Sequence, residues 1–265
     1  MKNLNVAIPT PFHEDESLYL DGFKPIVEYL AENGIDSLLV SATTGEQNSM
    51  SIEERIQIID FFNQQDFKHV ELMFGVSATT TKNALKLIES LDDSVFDSIL
   101  IQFPPYIRPT QEQAMSYMNE LLEQTTKHVV LYNNPLRTGF ELSADSFHTL
   151  MNQKHSHLVG MKEESDVRRL KNTTLPDDFI MFAGGDVNLT EKILNGCNGL
   201  SSMVGNVYPK EIQTFFSDLV ANKPVNLQKI NQLIDEVTRG HAIVNIKNHY
   251  NALGIMVGRC RSPIR

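Results

Sequence analysis

The chain alternates between short apolar runs and amphipathic stretches from its start to about residue 208. Several of these runs are continuously apolar, a pattern typical of strands that are buried on both faces. Eight strands are predicted, over residues 4–8, 37–41, 70–76, 98–103, 129–132, 158–162, 179–183 and 200–204. Strands that alternate with helices in this way indicate an α/β fold with a parallel sheet.

Helical patterns separate the strands. The apolar residues of 22–32 fall on one face of a helix, and Asn33-Gly34 follows as its stop. Residues 52–62 follow Ser51, a good N-cap, and Glu54 three residues later completes a capping-box pattern. Further helices are predicted over 82–91, 111–124 and 143–151. Eight strand–helix units in about 205 residues predict a (β/α)8 barrel, the TIM-barrel fold.

The pattern changes after residue 208. Helices are predicted over 212–221, 227–237 and 242–253, with little strand signal between them. We therefore predict a catalytic barrel domain over 1–208, followed by a C-terminal helical region over 209–265.

Charge and cysteine content restrict the class of protein. The net charge of −10, from 23 basic and 33 acidic residues, argues against a nucleic-acid partner, although a local cationic pocket could still bind an anionic substrate. Two cysteines in 265 residues form no disulfide framework. The N-terminus lacks the apolar core of a signal peptide, and no apolar run approaches the roughly 18 residues of a membrane span. We expect a cytoplasmic protein with no membrane partner.

Lys162 ends one of the predicted strands, late in the alternating pattern, where barrel enzymes carry their catalytic groups. An amine held there out of water loses some preference for its charged form and can attack a ketone. A strand-terminal lysine can instead extend to solvent, and a salt bridge with Glu163 or Glu164 would raise its pKa. The pleat argues against Glu163, because successive side chains of a strand point in opposite directions.

Tyr132 and Arg137 lie at the end of the preceding predicted strand and in the loop after it. Tyrosine can relay protons and arginine can bind a carboxylate, so with Lys162 they suggest imine chemistry on a keto acid. Each has a simpler interpretation, as a barrel-filling aromatic ring and a solvated loop arginine.

Two further strand ends carry polar or glycine-rich turns. Thr43-Thr44-Gly45-Glu46 can receive a carboxylate or phosphate through hydroxyl and N–H groups, or is an ordinary capped turn. Ala183-Gly184-Gly185-Asp186 is a candidate anion site, but its glycine spacing is wrong for a dinucleotide fingerprint. The eight histidines show no metal-ligand spacing, so we predict no metal and no cofactor.

Together these segments resemble the dihydrodipicolinate synthase / N-acetylneuraminate lyase family of pyruvate-dependent class I aldolases, over nearly the whole chain. The matching segments are Ala7-Ile8-Pro9-Thr10-Pro11-Phe12, Thr43-Thr44-Gly45-Glu46, Pro104-Pro105-Tyr106, Tyr132-Asn133-Asn134-Pro135-Leu136-Arg137-Thr138-Gly139, Gly160-Met161-Lys162-Glu163, Gly185-Asp186 and Asn206-Val207-Tyr208-Pro209-Lys210-Glu211. Each motif is weak alone, and their order and spacing carry the resemblance.

The resemblance implies specific roles. Lys162 forms an imine with pyruvate, Tyr132 shuttles protons with Thr43, and Thr44 binds the pyruvate carboxylate. Gly185 and Met203 also contact substrate. Arg137 binds the carboxylate of a second substrate, which is typical of the synthase branch and its substrate aspartate semialdehyde.

Three segments depart from the family pattern. The synthase branch has two adjacent tyrosines, the second of which crosses a dimer interface to complete the proton relay. Here that second tyrosine is either replaced by Ile107 or supplied by Tyr106 through a shift of register. Ala42 stands where the family has glycine, and residues 243–247 replace a proline-rich segment. These changes favour a divergent member of the family.

The leading functional hypothesis is a lyase of the lysine-biosynthesis type that condenses pyruvate with L-aspartate semialdehyde. Aldol cleavage of N-acetylneuraminate, and cleavage or dehydration of 2-keto-3-deoxy sugar acids, remain open within the same chemistry. A non-catalytic paralogue that binds a keto acid is the alternative of another class. The resemblance also implies a homo-oligomer, either a dimer or a tetramer formed as a dimer of dimers.

Overall fold

A computed structural model describes residues 1–264, in which eight parallel strands close into a barrel in sequence order. The strands are β1 (Leu4–Ala7), β2 (Ser37–Val40), β3 (Glu71–Val76), β4 (Ser98–Gln102), β5 (His128–Asn133), β6 (Leu158–Glu163), β7 (Ile180–Gly184) and β8 (Gly199–Ser202). Each overlaps one of the predicted strands, with ends that differ by a residue or two. The predicted (β/α)8 fold is confirmed.

The helices are α1 (Phe23–Glu32), α2 (Ile52–Asn63), α3 (Thr81–Asp92), α4 (Gln111–Glu123), α5 (Pro135–Thr138), α6 (Ala144–Asn152), α7 (Leu189–Leu194), α8 (Pro209–Val220), α9 (Leu227–Thr238) and α10 (Ala242–Ala252). The capping box predicted at Ser51 and Glu54 begins α2. A second capping box, of Thr110 and Gln113, begins α4. Within residues 1–264, no helix has the length and apolar character needed to cross a membrane.

The barrel closes where β1 pairs with β8, with Leu4 opposite Leu200. Inside it lies a small apolar cluster with a member from each of several strands, including Leu39, Met73 and Leu100. A larger cluster fills the layer between the strands and the surrounding helices. This division into an inner and an outer core is the packing of a filled barrel, which leaves the strand ends as the site for chemistry.

The connection between β6 and β7 differs from the other crossovers. It contains a 3-10 turn, Val167–Leu170, where a longer helical stretch was expected. The chain after that turn is polar, with Leu175 as its isolated large apolar residue and Pro176 next to it. Such a segment has no continuous apolar face for a helix to bury.

The C-terminal helices pack on the barrel. Ile212, Ile230 and Tyr250, from α8, α9 and α10, all belong to the outer core of the barrel. The Tyr250 hydroxyl donates to the Asn206 side chain at 3.0 Å, and Asn206 in turn donates to the carbonyl of Ala7 at 2.8 Å. The division into a barrel domain over 1–208 and a helical region over 209–265 stays a proposal that rests on the sequence pattern. Residue 265, the last of the helical region, lies outside the described residues.

Candidate active site

The predicted site residues, Tyr106 included, lie at the carboxyl ends of strands or in the segments that follow them. Tyr132 is in β5 and Lys162 in β6, while Thr43, Thr44, Gly185 and Met203 follow β2, β7 and β8. Because all eight strands are parallel, these ends meet at one face of the barrel.

Lys162 is buried, with 6% of its surface exposed. Its Nζ lies 4.6 Å from the centre of the Tyr132 ring, a cation–π distance. Burial lowers the pKa of the amine from 10.5 to about 8, and the charges of Glu164 and Asp186 oppose that shift. A substantial neutral fraction near neutral pH is what a nucleophilic amine requires.

Tyr132 is also buried, and its hydroxyl is hydrogen-bonded to side chains of neighbouring segments. It donates to Oε1 of Glu164 at 3.2 Å and accepts from Nδ2 of Asn134 at 2.7 Å. Burial, followed by the charge of Glu164, raises the pKa of Tyr132 well above 10. The side chains of Asn134 and Thr43 act in the opposite direction, which brings Thr43 into the same polar group.

Glu164 follows β6 and joins Tyr132 to a second lysine. Its Oε2 lies 3.9 Å from Nζ of Lys192, which also donates to the carbonyl of Gly184 at 3.0 Å. Burial raises the pKa of Glu164, and the charges of Lys162 and Lys192 oppose the shift. Tyr132 thus has the Lys162 amine over its ring, and its hydroxyl is linked through Glu164 to Lys192.

Glu163 faces away from Lys162, as the strand pleat predicts. Its carboxylate accepts from Asn133 at 2.8 Å and pairs with Arg169 at 2.5 Å. The backbone N–H of Ser165 donates to the same carboxylate at 2.7 Å. Glu163 therefore anchors the segment after β6 on the outer side of the barrel.

The loop after β2 carries Thr43, which is half-buried, and Thr44, which is buried. Thr10 fixes this loop by donating from its hydroxyl to the carbonyl of Gly45 at 2.6 Å. A Cβ at Gly75 of β3 would lie 2.3 Å from the carbonyl oxygen of Ser41, so only glycine permits this close approach. The position of the threonine pair is therefore set by a side-chain hydrogen bond from the segment after β1 and by the close backbone approach of β3.

Arg137 lies in α5, the short helix that follows β5 in the sequence. Asn134 caps this short helix and Gly139, at a φ of 72°, ends it. The arginine is exposed and lines a cavity of about 290 Å³ together with Thr43. Thr43 is thus the predicted site residue that shares this cavity with Arg137, and neither Lys162 nor Tyr132 lines it.

Gly185 and Met203 follow β7 and β8, which lie on the side of β6 opposite to β5 in the barrel. Gly185 has a φ of 89°, and a Cβ built there would be 3.9 Å from Oε1 of Glu164. The N–H of Met203 donates to Asp186 at 2.9 Å, and the Ser202 hydroxyl donates to the same carboxylate at 2.5 Å. Asp186 therefore organises the turn after β8.

Tyr106 does not join this group within the protomer. It is 90% exposed and has a φ of 69°, a left-handed conformation that is uncommon for a bulky residue. The neighbouring Ile107 is 45% exposed. Both residues lie in the loop after β4, and their side chains are exposed on the surface of the protomer.

Asn134, Glu164 and Lys192 were not predicted as site residues. The first two could have been found from strand geometry, because they are two positions beyond Tyr132 and Lys162 and share their inward side. Lys192 lies on α7, and no pattern in the sequence relates it to Lys162. Among residues 1–264, no group of three or more His, Cys, Asp or Glu side chains is arranged to hold a metal ion.

The model of the dihydrodipicolinate synthetase family matches residues 1–265. The 4-hydroxy-tetrahydrodipicolinate synthase of Methanosphaera stadtmanae is 27% identical over 276 residues, covering 100% of this chain and 92% of that protein. The 4-hydroxy-tetrahydrodipicolinate synthase of a Hydrogenobaculum species is 32% identical over 214 residues, covering 80% of this chain and 73% of that protein. The structure of dihydrodipicolinate synthase from Aquifex aeolicus has the same fold, with a TM-score of 0.91 at 22% identity, covering 100% and 92% of the two chains.

Proposed function

Because this chain belongs to the dihydrodipicolinate synthetase family, we propose that it condenses pyruvate with an aldehyde through an imine on Lys162. The leading aldehyde is L-aspartate semialdehyde, as in the reaction of lysine biosynthesis. The observation that carries the proposal is the buried Lys162 amine, with its pKa lowered to about 8, in contact with Tyr132.

In this reaction the neutral amine of Lys162 attacks the ketone carbon of pyruvate, and loss of water gives the imine. Tyr132 carries protons to and from the reacting oxygen and carbon, with Thr43 beside it. Thr44 binds the pyruvate carboxylate, while Gly185 and Met203 line the opposite side. The fixed loop of Thr43 and Thr44 supports these assignments, since a carboxylate must be held in one orientation for attack.

Arg137 binds the carboxylate of the aldehyde. Its exposure at a cavity shared with Thr43 supports this role, because an arginine fork pairs well with a planar carboxylate. The same feature favours aspartate semialdehyde over a neutral sugar aldehyde. N-acetylneuraminate and 2-keto-3-deoxy sugar acids are the rival substrates that an assay must include.

Tyr106 completes the relay in the site of a second copy of the chain, which implies a dimer or a tetramer. Its exposed ring and left-handed backbone support this assignment over Ile107, which has no hydroxyl to give. The free, buried cysteines Cys197 and Cys260 support a cytoplasmic location, where thiols stay reduced.

The test is turnover with pyruvate and each candidate aldehyde, followed for wild type and Lys162→Ala. We expect condensation with L-aspartate semialdehyde in the wild type and none in the variant. Turnover that persists undiminished in Lys162→Ala would exclude the imine mechanism. Cleavage of N-acetylneuraminate or a 2-keto-3-deoxy sugar acid, without the condensation, would reassign the substrate.

A further inference from the structure

We propose that Glu164 exchanges protons with the Tyr132 hydroxyl and is a further relay group, beside Thr43 and Tyr106, that serves imine and enamine formation at Lys162. This inference rests on the proposed function and adds to it a residue that works within one protomer. It is carried by the placement of Glu164, the hydrogen bonds of Tyr132 and the glycine that makes room for the carboxylate.

The placement follows from the strand. Lys162 and Glu164 are two residues apart, so they share the inward face, while Glu163 between them faces outward to Arg169. The N–H of Glu164 donates to the carbonyl of Asn133 at 3.1 Å, which extends the strand pairing by one residue. The backbone thereby fixes the direction in which the Glu164 side chain leaves the strand.

The hydrogen bonds of Tyr132 determine where its proton points. A phenol has one O–H to donate, and its oxygen accepts from other donors. Asn134 donates to that oxygen at 2.7 Å, and the proton of Tyr132 is directed to Glu164 at 3.2 Å. Asn134 also stabilises the charge on the oxygen whenever Tyr132 gives its proton away.

Gly184 makes room for the carboxylate. A Cβ built on Gly184 would lie 2.6 Å from both Cγ and Cδ of Glu164, so any larger residue displaces this side chain. The Glu164 side chain keeps 25% of its surface exposed. It can therefore exchange its proton with solvent while it contacts Tyr132.

Four groups face the Glu164 carboxyl: Tyr132 from β5, Lys162 from β6, Asp186 after β7 and Lys192 from α7. Burial raises its pKa, while the two lysines and the Tyr132 hydrogen bond act against that shift. A carboxyl with a raised pKa holds a proton at a higher pH than an exposed one, which suits a group that must both give and take it.

The proton transfers balance. During dehydration the proton of Glu164 passes through Tyr132 to the hydroxyl of the carbinolamine. The C–O bond breaks, water leaves and the nitrogen lone pair forms the iminium. The C3–H bond then breaks, its electron pair forms the enamine double bond, and the nitrogen recovers its own pair. The proton from C3 returns through Tyr132 to Glu164.

The experiment needs pyruvate alone. In D₂O, the C3 protons of pyruvate exchange for deuterium each time the enamine forms, and NMR follows the loss of the methyl signal. We expect Glu164→Gln to slow exchange about 10²-fold at the pH of its maximum rate, the scale of a lost acid–base group. Glu191→Gln is the matched control, because Glu191 is an exposed carboxylate on the same helix as Lys192.

The pH profile separates proton transfer from a purely electrostatic effect. The charge of Glu164 raises the pKa of Lys162, so Glu164→Gln moves the midpoint of the profile below about 8 in either case. A relay role lowers the maximum rate as well, because exchange then needs a Glu164 that can both give and take a proton. An unchanged maximum rate, with or without a shifted midpoint, overturns the proposal.

Two further variants cover the possibility that Glu164→Gln disturbs folding. Gly184→Ala displaces the carboxylate without removing it, and we expect a similar loss of exchange. In Tyr132→Phe with Glu164→Gln, the combined loss should not exceed that of Tyr132→Phe alone, because both residues serve one relay. Independent, multiplicative losses would contradict the inference.

Borohydride trapping keeps the two proposals distinguishable. Wild type and Glu164→Gln should both accumulate the pyruvate adduct on Lys162 after long incubation, since the relay affects rate and leaves the amine in place. If the wild-type protein neither forms the pyruvate adduct nor exchanges the C3 protons of pyruvate, the proposed function is wrong. If the wild type does both and the Glu164→Gln variant reaches the same maximum rate of exchange, this inference alone is wrong.

Discussion

Lys162 and Tyr132 are direct register partners on β6 and β5, and the lysine amine lies 4.6 Å from the centre of the tyrosine ring. Two opposing effects act on the amine at this position. Burial disfavours its charge, while the ring face and the Glu164 carboxylate favour it. Burial wins, and the amine becomes available as a nucleophile near neutral pH.

The rate of imine formation should rise with pH. Lys162 must be neutral to attack, and its pKa of about 8 means that the neutral fraction increases as pH rises through that value. The initial rate of borohydride trapping, measured from pH 6 to 10, should follow that titration. Lys192→Met should move the midpoint upward, because the charge of Lys192 lowers the pKa of Lys162. A rate independent of pH would contradict the assignment.

Lys162→Met should stabilise the protein at neutral pH. The folded-state pKa of Lys162 is depressed from 10.5 to about 8, so the folded state binds fewer protons between these values and gains stability as pH rises. Below about pH 8 the penalty for the buried charge is fully present, and it is gone above 10.5. We expect a gain of up to about 3 kcal/mol at pH 7 and little gain at pH 11, measured by urea unfolding. An equal gain of Lys162→Met over wild type at both pH values would show that the amine is not desolvated.

Arg137→Ala should weaken binding of a carboxylated aldehyde and leave pyruvate chemistry intact. Losing a charge-assisted pair to a carboxylate should raise the KM for L-aspartate semialdehyde by roughly 10-fold or more. Trapping of pyruvate on Lys162 should proceed at the wild-type rate. Arg239→Ala is the control, since Arg239 is an exposed arginine at the end of α9. An unchanged KM would remove Arg137 from the substrate site.

Glu46 and Lys247 form a buried ion pair at 2.7 Å, which ties the loop of Thr43 and Thr44 to α10. Removing one partner leaves the other charge buried and unpaired, so Glu46→Gln or Lys247→Met should lower the free energy of unfolding by about 3–5 kcal/mol. The double variant should recover much of that loss. Asp21→Asn, in the exposed pair with Lys24, should change stability by less than about 1 kcal/mol. A small effect at Glu46 would show that the pair contributes little.

The fold could be predicted because its signals are local. Continuous apolar runs and capped helices recur along the chain, and Ser51 with Glu54 begins α2 as the pattern indicates. The strand ends then place Lys162 and Tyr132 near each other without further information. The connection between β6 and β7 was harder to predict, because its polar sequence shows no hydrophobic periodicity.

The surroundings of Lys162 were harder to predict, because they depend on contacts between distant segments. The pleat excluded Glu163 correctly, and the same reasoning, continued one residue, places Glu164 beside Lys162. The position of Lys192 depends on how α7 packs against β7, which the sequence does not reveal. The roles of Thr44, Arg137, Met203 and Tyr106 stay predictions.

The most direct test is to incubate the protein with pyruvate, reduce it with borohydride, and measure intact mass and the modified peptide. The account predicts one pyruvate-sized adduct per chain, located on Lys162 and missing in Lys162→Ala. Folded wild-type protein that gains no adduct in excess pyruvate, or gains it on another lysine, would contradict the imine mechanism.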